Sequence, residues 1–302
     1  MGFAVQWLRS LVFVVQMYAM MAVMALFFTP FALVSRPWAF HGVHSYTRWV
    51  RWTARWMVGL RTEVRGEVPT DEVLIASKHQ SFLDIILLCS VLPRPKFIMK
   101  TELRWAPILG WYALRIGCIA VDRGRRGAAI QQMVDGVEKG RATPGQLIIY
   151  PQGTRVAPGA EKAYKIGTGI LYSRLGQDCV PAATNVGVFW PRHGIYRKPG
   201  LAVVEFLPRI PAGMAQDAFM AHLESVVEGA SDRLMAEEGL EARRWSRAGR
   251  RDGTSRSMVS GRSWCRHGRS RPSGRRRQFP FSGEMRRRGN GVNLFPVGNS
   301  AK

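Results

Sequence analysis

The chain has 302 residues, enough for one large or two small domains, and a formal net charge of +23. This charge favours anionic partners such as lipid head groups, phosphorylated substrates or nucleic acid. The four cysteines are scattered and form no Cys-x-x-Cys pair, which argues against a zinc site and is typical of a reducing compartment.

Residues 11–34 are the first predicted element and are almost wholly apolar, with Gln16, Thr29 and Pro30 as the main interruptions. Such a run can cross the hydrocarbon core of a bilayer, which needs about 20 residues. It is longer than the apolar part of a signal peptide, about 7–15 residues, and no clear Ala-x-Ala cleavage site follows. We therefore predict a retained membrane segment that either spans or is embedded. If it spans, the arginines after it place the rest of the chain on the cytoplasmic side of the inner membrane.

Residues 44–58 carry one stripe of tryptophans and one stripe of arginines, each with the spacing of a helix face. At about 100° per residue, each stripe occupies one side of a helix. Tryptophan prefers the head-group zone and arginine extends to phosphates, so we predict a helix in the membrane interface. The alternative is a tryptophan stripe that packs on the protein core, with the arginines solvated. The stripes are Trp49, Trp52 and Trp56, and Arg48, Arg51 and Arg55.

Strands and helices are predicted to alternate through the following part of the chain. This alternation predicts an α/β fold, with a largely parallel sheet flanked by helices, after an N-terminal membrane-embedded helical segment. The predicted strands are 73–77, 96–99, 118–121, 146–150, 179–185 and 201–207. The predicted helices are 82–92, 103–116 with a break at Pro107, 128–139, 166–175 and 217–238.

Residues 246–302 differ in composition, with 15 Lys or Arg against two Asp or Glu and many Gly and Ser. They cannot bury enough apolar surface to offset chain entropy, so we predict a disordered tail. The chain thus divides into a membrane anchor over 1–58, an α/β domain over 59–245 and the tail. The tail alone would suggest a nucleic-acid-binding membrane protein, but that function makes poor use of residues 11–34.

The segment Lys-His-Gln-Ser-Phe-Leu-Asp places His79 in the loop after strand 73–77 and Asp84 in the first turn of the next helix. Ser81 and Asp84 form a capping-box-like helix start. Because the chain turns here, Asp84 can hold one imidazole nitrogen and leave the other as a general base. The alternative is that Asp84 only caps the helix and His79 is an ordinary loop residue. Ser81 also suggests a serine hydrolase, but there is no Gly-x-Ser-x-Gly motif.

Two arginines follow predicted strands and are candidates for phosphate binding. Arg123 follows strand 118–121 and Arg155 follows strand 146–150. Ligands of open α/β sheets bind beyond the carboxyl ends of strands, and the arginine fork suits a phosphate. Lys100 is a weaker candidate of the same kind.

The loop before Arg155 contains residues that suit substrate binding. Gly153 lets the backbone approach a ligand, and Thr154 can donate its hydroxyl. Gln152 cannot ionise but can accept a hydrogen bond through its carbonyl oxygen.

Four sequence blocks, in order, resemble the glycerolipid acyltransferase family, and the resemblance covers roughly residues 60–210. In the third block the family usually has Phe-Pro-Glu-Gly-Thr-Arg, so Gln152 stands where a glutamate is usual. The blocks are His79-x4-Asp84, Ala120-Val121-Asp122-Arg123, Tyr150-Pro151-Gln152-Gly153-Thr154-Arg155 and Val180-Pro181.

The resemblance implies transfer of a fatty acyl group to the free hydroxyl of 1-acyl-sn-glycerol-3-phosphate, which gives phosphatidic acid. His79 would be the base and Asp84 would orient it. The donor would be acyl-CoA or acyl-carrier protein, and another lyso-lipid, such as lyso-ornithine lipid, is the alternative acceptor. We expect no metal and no cofactor, because the thioester is already activated. Membrane lipids are expected partners and nucleic acid is not.

Overall fold

The computed structural model of the chain describes residues 2–122, 131–136 and 144–239. Strands and helices alternate after the first two helices, as predicted from the sequence. The helices are α1 (Phe3–Val34), α2 (Arg36–Met57), α3 (Leu83–Val91), α4 (Leu109–Ile116), α5 (131–136), α6 (Gly167–Leu175) and α7 (Gln216–Glu237). The strands are β1 (Leu60–Arg65), β2 (Leu74–Ser77), β3 (Pro95–Lys100), β4 (Ile119–Val121), β5 (Gln146–Ile149), β6 (Cys179–Thr184) and β7 (Gly200–Phe206). Two short 3-10 helices cover Thr101–Trp105 and Val186–Val188.

Within the described ranges, seven strands form one sheet in the order β1-β7-β6-β2-β5-β3-β4. Neighbouring strands are parallel except β6 and β7, so β7 and β1 run against the other five. The predicted largely parallel sheet is therefore confirmed. Because β2, β3 and β5 point the same way, the loops that follow them lie at one edge of the sheet.

Helices cover both faces of the sheet, because successive side chains of a buried strand point to opposite faces. In β2, Ile75 belongs to the hydrophobic cluster that contains Leu87 of α3. Leu74 belongs to a second cluster, with Leu171 of α6 and Phe219 of α7. The result is a sheet between two helical layers, the usual way for a parallel sheet to bury both faces.

The first two helices pack against each other as a hairpin. Gln16 of α1 donates to the Thr53 hydroxyl and accepts from Trp49 Nε1, both at 3.1 Å. Trp49 therefore faces α1, whereas Trp52 and Trp56 are exposed. The predicted tryptophan stripe is thus divided between a packed residue and two exposed ones.

The predicted arginine stripe is also divided, since Arg51 binds the protein. Its guanidinium donates to the hydroxyls of Thr62 in β1 and Ser90 in α3, both at 2.9 Å. Burial lowers the pKa of Arg51 below its ordinary value. Arg48 and Arg55 are exposed. The alternative interpretation, in which the arginines of the stripe are solvated, is therefore wrong for Arg51, because β1 and α3 lie beside it.

Strand β1 was not predicted, because four of its six residues are polar and, among the described strands, it pairs only with β7 at the sheet edge.

The predicted break at Pro107 is confirmed. The segment Thr101–Trp105 is a 3-10 helix, and α4 begins only at Leu109.

The predicted tail, residues 246–302, lies outside the described residues, as do both ends of the predicted helix 128–139. The proposed boundary near residue 245 therefore stays a prediction, as does the boundary near residue 58.

Candidate active site

His79 and Asp84 lie on either side of the turn that joins β2 to α3. Strand β2 ends at Ser77 and helix α3 begins at Leu83. His79 is 9% exposed and Asp84 is fully buried. The turn therefore lies at the sheet edge where the sequence predicted it.

The Asp84 carboxylate binds the imidazole and the start of α3 at the same time. Its Oδ2 lies 3.0 Å from His79 Nδ1 and accepts the backbone N–H groups of Gln80 at 2.8 Å and Ser81 at 2.7 Å. The bond to Ser81 is the carboxylate half of a capping box. Capping and orientation, considered above as alternatives, thus occur together. With Nδ1–H donating to the carboxylate, the neutral imidazole presents Nε2 as an acceptor for a proton.

The ring of Tyr150 stacks on the imidazole of His79, with 3.8 Å between centroids and 14° between planes. The backbone N–H of Val156 donates to the His79 carbonyl at 2.7 Å. Burial raises the pKa of the Tyr150 hydroxyl well above its ordinary value, so this group stays protonated. These contacts join the loop after β5 to the loop after β2.

The loop after β5 turns at Gly153, where φ is +67° and the N–H donates to the Tyr150 carbonyl at 2.8 Å. A Cβ here would meet only the end of the flexible, exposed Lys165 side chain, so it is the backbone conformation that favours glycine. Thr154 and Arg155 follow and are half-buried. Among the described residues Arg155 forms no ion pair, so its guanidinium is available to an anion.

The side chain of Gln152 is directed towards α7 and is 2% exposed. Its Nε2 donates to the Lys162 carbonyl at 3.2 Å and to Glu228 Oε1 at 3.3 Å. Glu228 also accepts from the Tyr164 hydroxyl at 2.9 Å and pairs with the Lys78 ammonium, which is 3% exposed. The sequence prediction missed Glu228 and Tyr164, and the only signal was the polar Lys78 beside an apolar strand.

The structure does not place the remaining predicted residues beside His79 and Arg155. Lys100 ends β3, is exposed and pairs with Glu102 at 2.7 Å. Arg123 lies outside the described residues, so its role stays a prediction. Val180 and Pro181 lie inside β6 beside β2. In the ranges that the structure describes, no three metal-ligating side chains come together.

An apolar cavity of about 220 Å³ adjoins this site, between α1, α2, α3, α4 and β3. Phe82, between His79 and Asp84 in sequence, is one of its lining residues. Arg155 is the one charged residue among those described in its lining. Sequence reasoning could not find this cavity, because its walls come from four helices, a strand, the 3-10 helix Thr101–Trp105 and the loop that carries Arg155. An apolar cavity with one cation in its lining suits a fatty chain that lies close to an anionic group.

The sequence of the chain is similar to those of known acyltransferases. Residues 61–185 match the family model described as acyltransferase. The 1-acyl-sn-glycerol-3-phosphate acyltransferase of Pseudomonas aeruginosa is 29% identical over 197 residues, which cover 65% of this chain and 77% of the relative. The lyso-ornithine lipid O-acyltransferase of the same organism is 36% identical over 112 residues, or 36% of this chain and 41% of the relative.

The fold is similar to the crystal structure of the 1-acyl-sn-glycerophosphate acyltransferase from Thermotoga maritima. The TM-score is 0.65 at 19% identity, with 76% of this chain and 98% of that chain covered. This likeness concerns the fold, and the matched family region contains both His79 and Arg155. Over residues 61–185 the chain therefore resembles the acyltransferase family.

Proposed function

We propose that this chain transfers a fatty acyl group from an acyl thioester to the free hydroxyl of 1-acyl-sn-glycerol-3-phosphate, making phosphatidic acid. The observation that carries the proposal is the His79–Asp84 pair beside an apolar cavity whose charged lining residue is Arg155. The similarity to the Pseudomonas aeruginosa relative over 77% of its length supports this acceptor.

The His79–Asp84 geometry supports general-base catalysis. Nε2 of His79 takes the proton of the acceptor hydroxyl as the oxygen attacks the thioester carbonyl. The C–O bond forms, the C–S bond breaks, and the imidazolium returns its proton to the departing thiolate. Asp84 stabilises the imidazolium, because its carboxylate lies 3.0 Å from Nδ1.

The acceptor phosphate would bind Arg155, whose planar fork forms two charge-assisted hydrogen bonds with phosphate oxygens. Gly153 would bring the backbone close to the same group, and Thr154 would donate its hydroxyl. Arg123 is proposed as a second phosphate contact. Gln152 and Lys100 have the least support as direct contacts, because each is engaged with a neighbouring carboxylate.

The acyl chain of the donor would occupy the apolar cavity. Its side chains come from the membrane-facing helices α1 and α2 as well as from α4. A chain there would bring the thioester close to Arg155 and Phe82, which line the same cavity. The carrier of the acyl group would be coenzyme A or acyl-carrier protein, and neither requires a further cofactor.

The catalytic part would act at the membrane. By length and composition, one helix of the described residues, α1, is able to cross a bilayer. Near its start, Gln6 donates to the Arg197 carbonyl at 2.8 Å, and near its end Arg115 donates to the Ala32 carbonyl at 2.9 Å. About 40 Å of helix separates Gln6 from Ala32, more than the hydrocarbon thickness of about 30 Å.

Both ends of α1 are bound to the same domain. If that domain lies on one side of the bilayer, α1 cannot cross to the other side. We therefore propose that α1 lies along the domain and is embedded in one leaflet. The face of α1 that points away from the domain is apolar, as embedding in a leaflet requires. Thioester donors are made in the cytoplasm, so the leaflet would be the cytoplasmic one of the inner membrane. The exposed apolar residues of this region include Leu26, Phe27, Leu33, Val34 and Trp38.

Lyso-ornithine lipid is the second candidate acceptor, supported by the 36% identity over 112 residues to an enzyme of that name. The nucleic-acid alternative depends on residues 246–302, which lie outside the described residues, and the described site gives it no support.

An acceptor panel tests the proposal. Membranes that contain the protein would receive a labelled acyl donor and, separately, 1-acyl-sn-glycerol-3-phosphate, lyso-ornithine lipid or a neutral lyso-lipid. We expect labelled phosphatidic acid, and none with His79→Ala. Labelled ornithine lipid without phosphatidic acid would select the second candidate. No labelled product with any acceptor would reject both.

A further inference from the structure

Helix α7 brings one carboxylate to a point between the two loops of the site. Glu228 Oε2 pairs with the Lys78 ammonium, and Oε1 accepts from Gln152 Nε2 at 3.3 Å and from Tyr164 at 2.9 Å. Lys78 directly precedes His79, and Gln152 lies three residues before Arg155 in the same loop. One side chain thus touches both loops that carry the proposed chemistry.

Lys78 and Gln152 are buried, so their position depends on their contact with Glu228. Lys78 is 3% exposed and Gln152 is 2% exposed. A buried ammonium requires a paired anion, and Glu228 is the ion-pair partner of Lys78 among the described residues. Gln152 is neutral, so position 152 supplies no anion to Lys78. Glu228 therefore fixes the position of both partners.

We propose that Glu228 is a positioning residue, which supplies from α7 the one carboxylate that holds the His79 loop and the Arg155 loop together. The inference rests on the proposed function. It also gives Gln152 a role: its amide donates to Glu228, which a carboxylate at position 152 could not do. The two residues form a matched pair of one amide and one carboxylate.

This pairing predicts the effect of exchanging the charge. In Gln152→Glu, two carboxylates would meet at about the separation of the present hydrogen bond, which disfavours the ionised form of one or displaces the loop. In Glu228→Gln, Lys78 would lose its buried anion. The double variant Gln152→Glu/Glu228→Gln restores one amide and one carboxylate, with donor and acceptor reversed.

The experiment measures kcat and acceptor KM separately, and melting temperature, for both single variants and the double variant. We expect each single variant to lose about tenfold or more in kcat/KM for the acceptor. The double variant should recover part of that loss, because the bond from residue 152 to the Lys162 carbonyl stays absent. Glu224→Gln is the matched control, since it removes an exposed carboxylate from the same helix one turn earlier. It should behave like the unaltered protein.

Two outcomes would overturn the proposal. In one, the single variants melt at a lower temperature but keep normal kcat and KM per folded molecule, which is a purely structural role. In the other, the double variant is as impaired as the two single losses combined. His79→Ala in the same assay separates the hypotheses: an inactive unaltered protein rejects the proposed function, whereas activity abolished by His79→Ala but unaffected by Glu228→Gln rejects this inference alone.

Discussion

The imidazole of His79 lies on the ring of Tyr150, with 3.8 Å between the centroids. This contact joins the turn after β2 to the loop after β5, and the Val156 N–H bond to the His79 carbonyl reinforces it. The imidazole is therefore oriented from two directions, by Asp84 at its Nδ1 edge and by Tyr150 on its face.

Tyr150→Phe should keep both activity and stability. The substitution retains the stacked ring and removes a buried hydroxyl that has no hydrogen-bond partner among the described residues. Burying an unpaired hydroxyl costs about 1–3 kcal/mol, so the free energy of unfolding should be unchanged or higher. Tyr150→Leu should lower both kcat and melting temperature, because the stack is lost. If Tyr150→Phe is as inactive as His79→Ala, the hydroxyl takes part in the chemistry.

His79→Ala should lower kcat by about 10²–10⁴ through loss of the general base. It should also cost about 1 kcal/mol of stability, because the stacking contact with Tyr150 disappears. Activity per folded molecule and thermal melting measure the two effects separately. Near-normal turnover in folded His79→Ala would overturn the mechanism.

Asp84→Asn should separate capping from catalysis. The amide oxygen still accepts the N–H groups of Gln80 and Ser81, so the stability loss should stay below about 1 kcal/mol. The negative charge that stabilises the imidazolium is lost, so kcat should fall sharply. The opposite order, with a large loss of stability and near-normal turnover, would mean that the carboxylate only caps α3.

Arg155→Ala should act mainly on the acceptor. Loss of its charge-assisted contacts is worth about 1.5–3 kcal/mol, so acceptor KM should rise about tenfold to a hundredfold if binding is uniform. Arg155→Lys should recover only part, because the planar fork is lost. Arg174→Ala, an exposed arginine of α6, is the control. An unchanged acceptor KM in Arg155→Ala would remove this residue from the site.

The turn that holds His79 and Asp84 is predictable because its signals are local. A polar segment between a predicted strand and a predicted helix fixes where His79 and Asp84 lie, and Ser81 marks the helix start. The parallel direction of β2 and β5 then follows from strand–helix alternation. These features depend on neighbours in sequence, so the sequence reveals them.

The missed features depend on contacts between distant residues. Glu228 is 150 positions from Lys78 and stands on a helix whose pattern gives no sign of a buried ion pair. Strand β1 has no apolar run, because its place at the edge needs none. Arg51 was predicted with its stripe, and only the positions of Thr62 and Ser90 direct it inwards.

Gly42→Val should shift the acyl-chain preference towards shorter donors. Gly42 lines the cavity, and a Cβ there would lie 3.2 Å from Phe28 and 3.3 Å from Tyr112. Added atoms therefore narrow the cavity, whereas Met99→Ala should widen it and favour longer donors. The measured quantity is the ratio of activities with lauroyl and palmitoyl donors, which does not depend on the amount of folded protein. Gly229→Val is the control, because no atom lies within 4 Å of a Cβ there. An unchanged ratio in both cavity variants would exclude the cavity as the acyl site.

The proposed placement of α1 along the cytoplasmic leaflet predicts that both of its ends face the cytoplasm. A spanning helix would put its ends on opposite sides of the membrane, whereas the bonds from Gln6 and to Ala32 tie both ends to the same domain. Gly2→Cys and Ser35→Cys, each in a Cys265→Ser background, would be treated with a membrane-impermeant thiol reagent. The other three cysteines are buried, and burial raises the pKa of each thiol, so they should react slowly. In inside-out inner-membrane vesicles both introduced thiols should be labelled, and in right-side-out vesicles neither should. Labelling of Gly2→Cys only from the outer side would establish a spanning helix and reject the embedded arrangement.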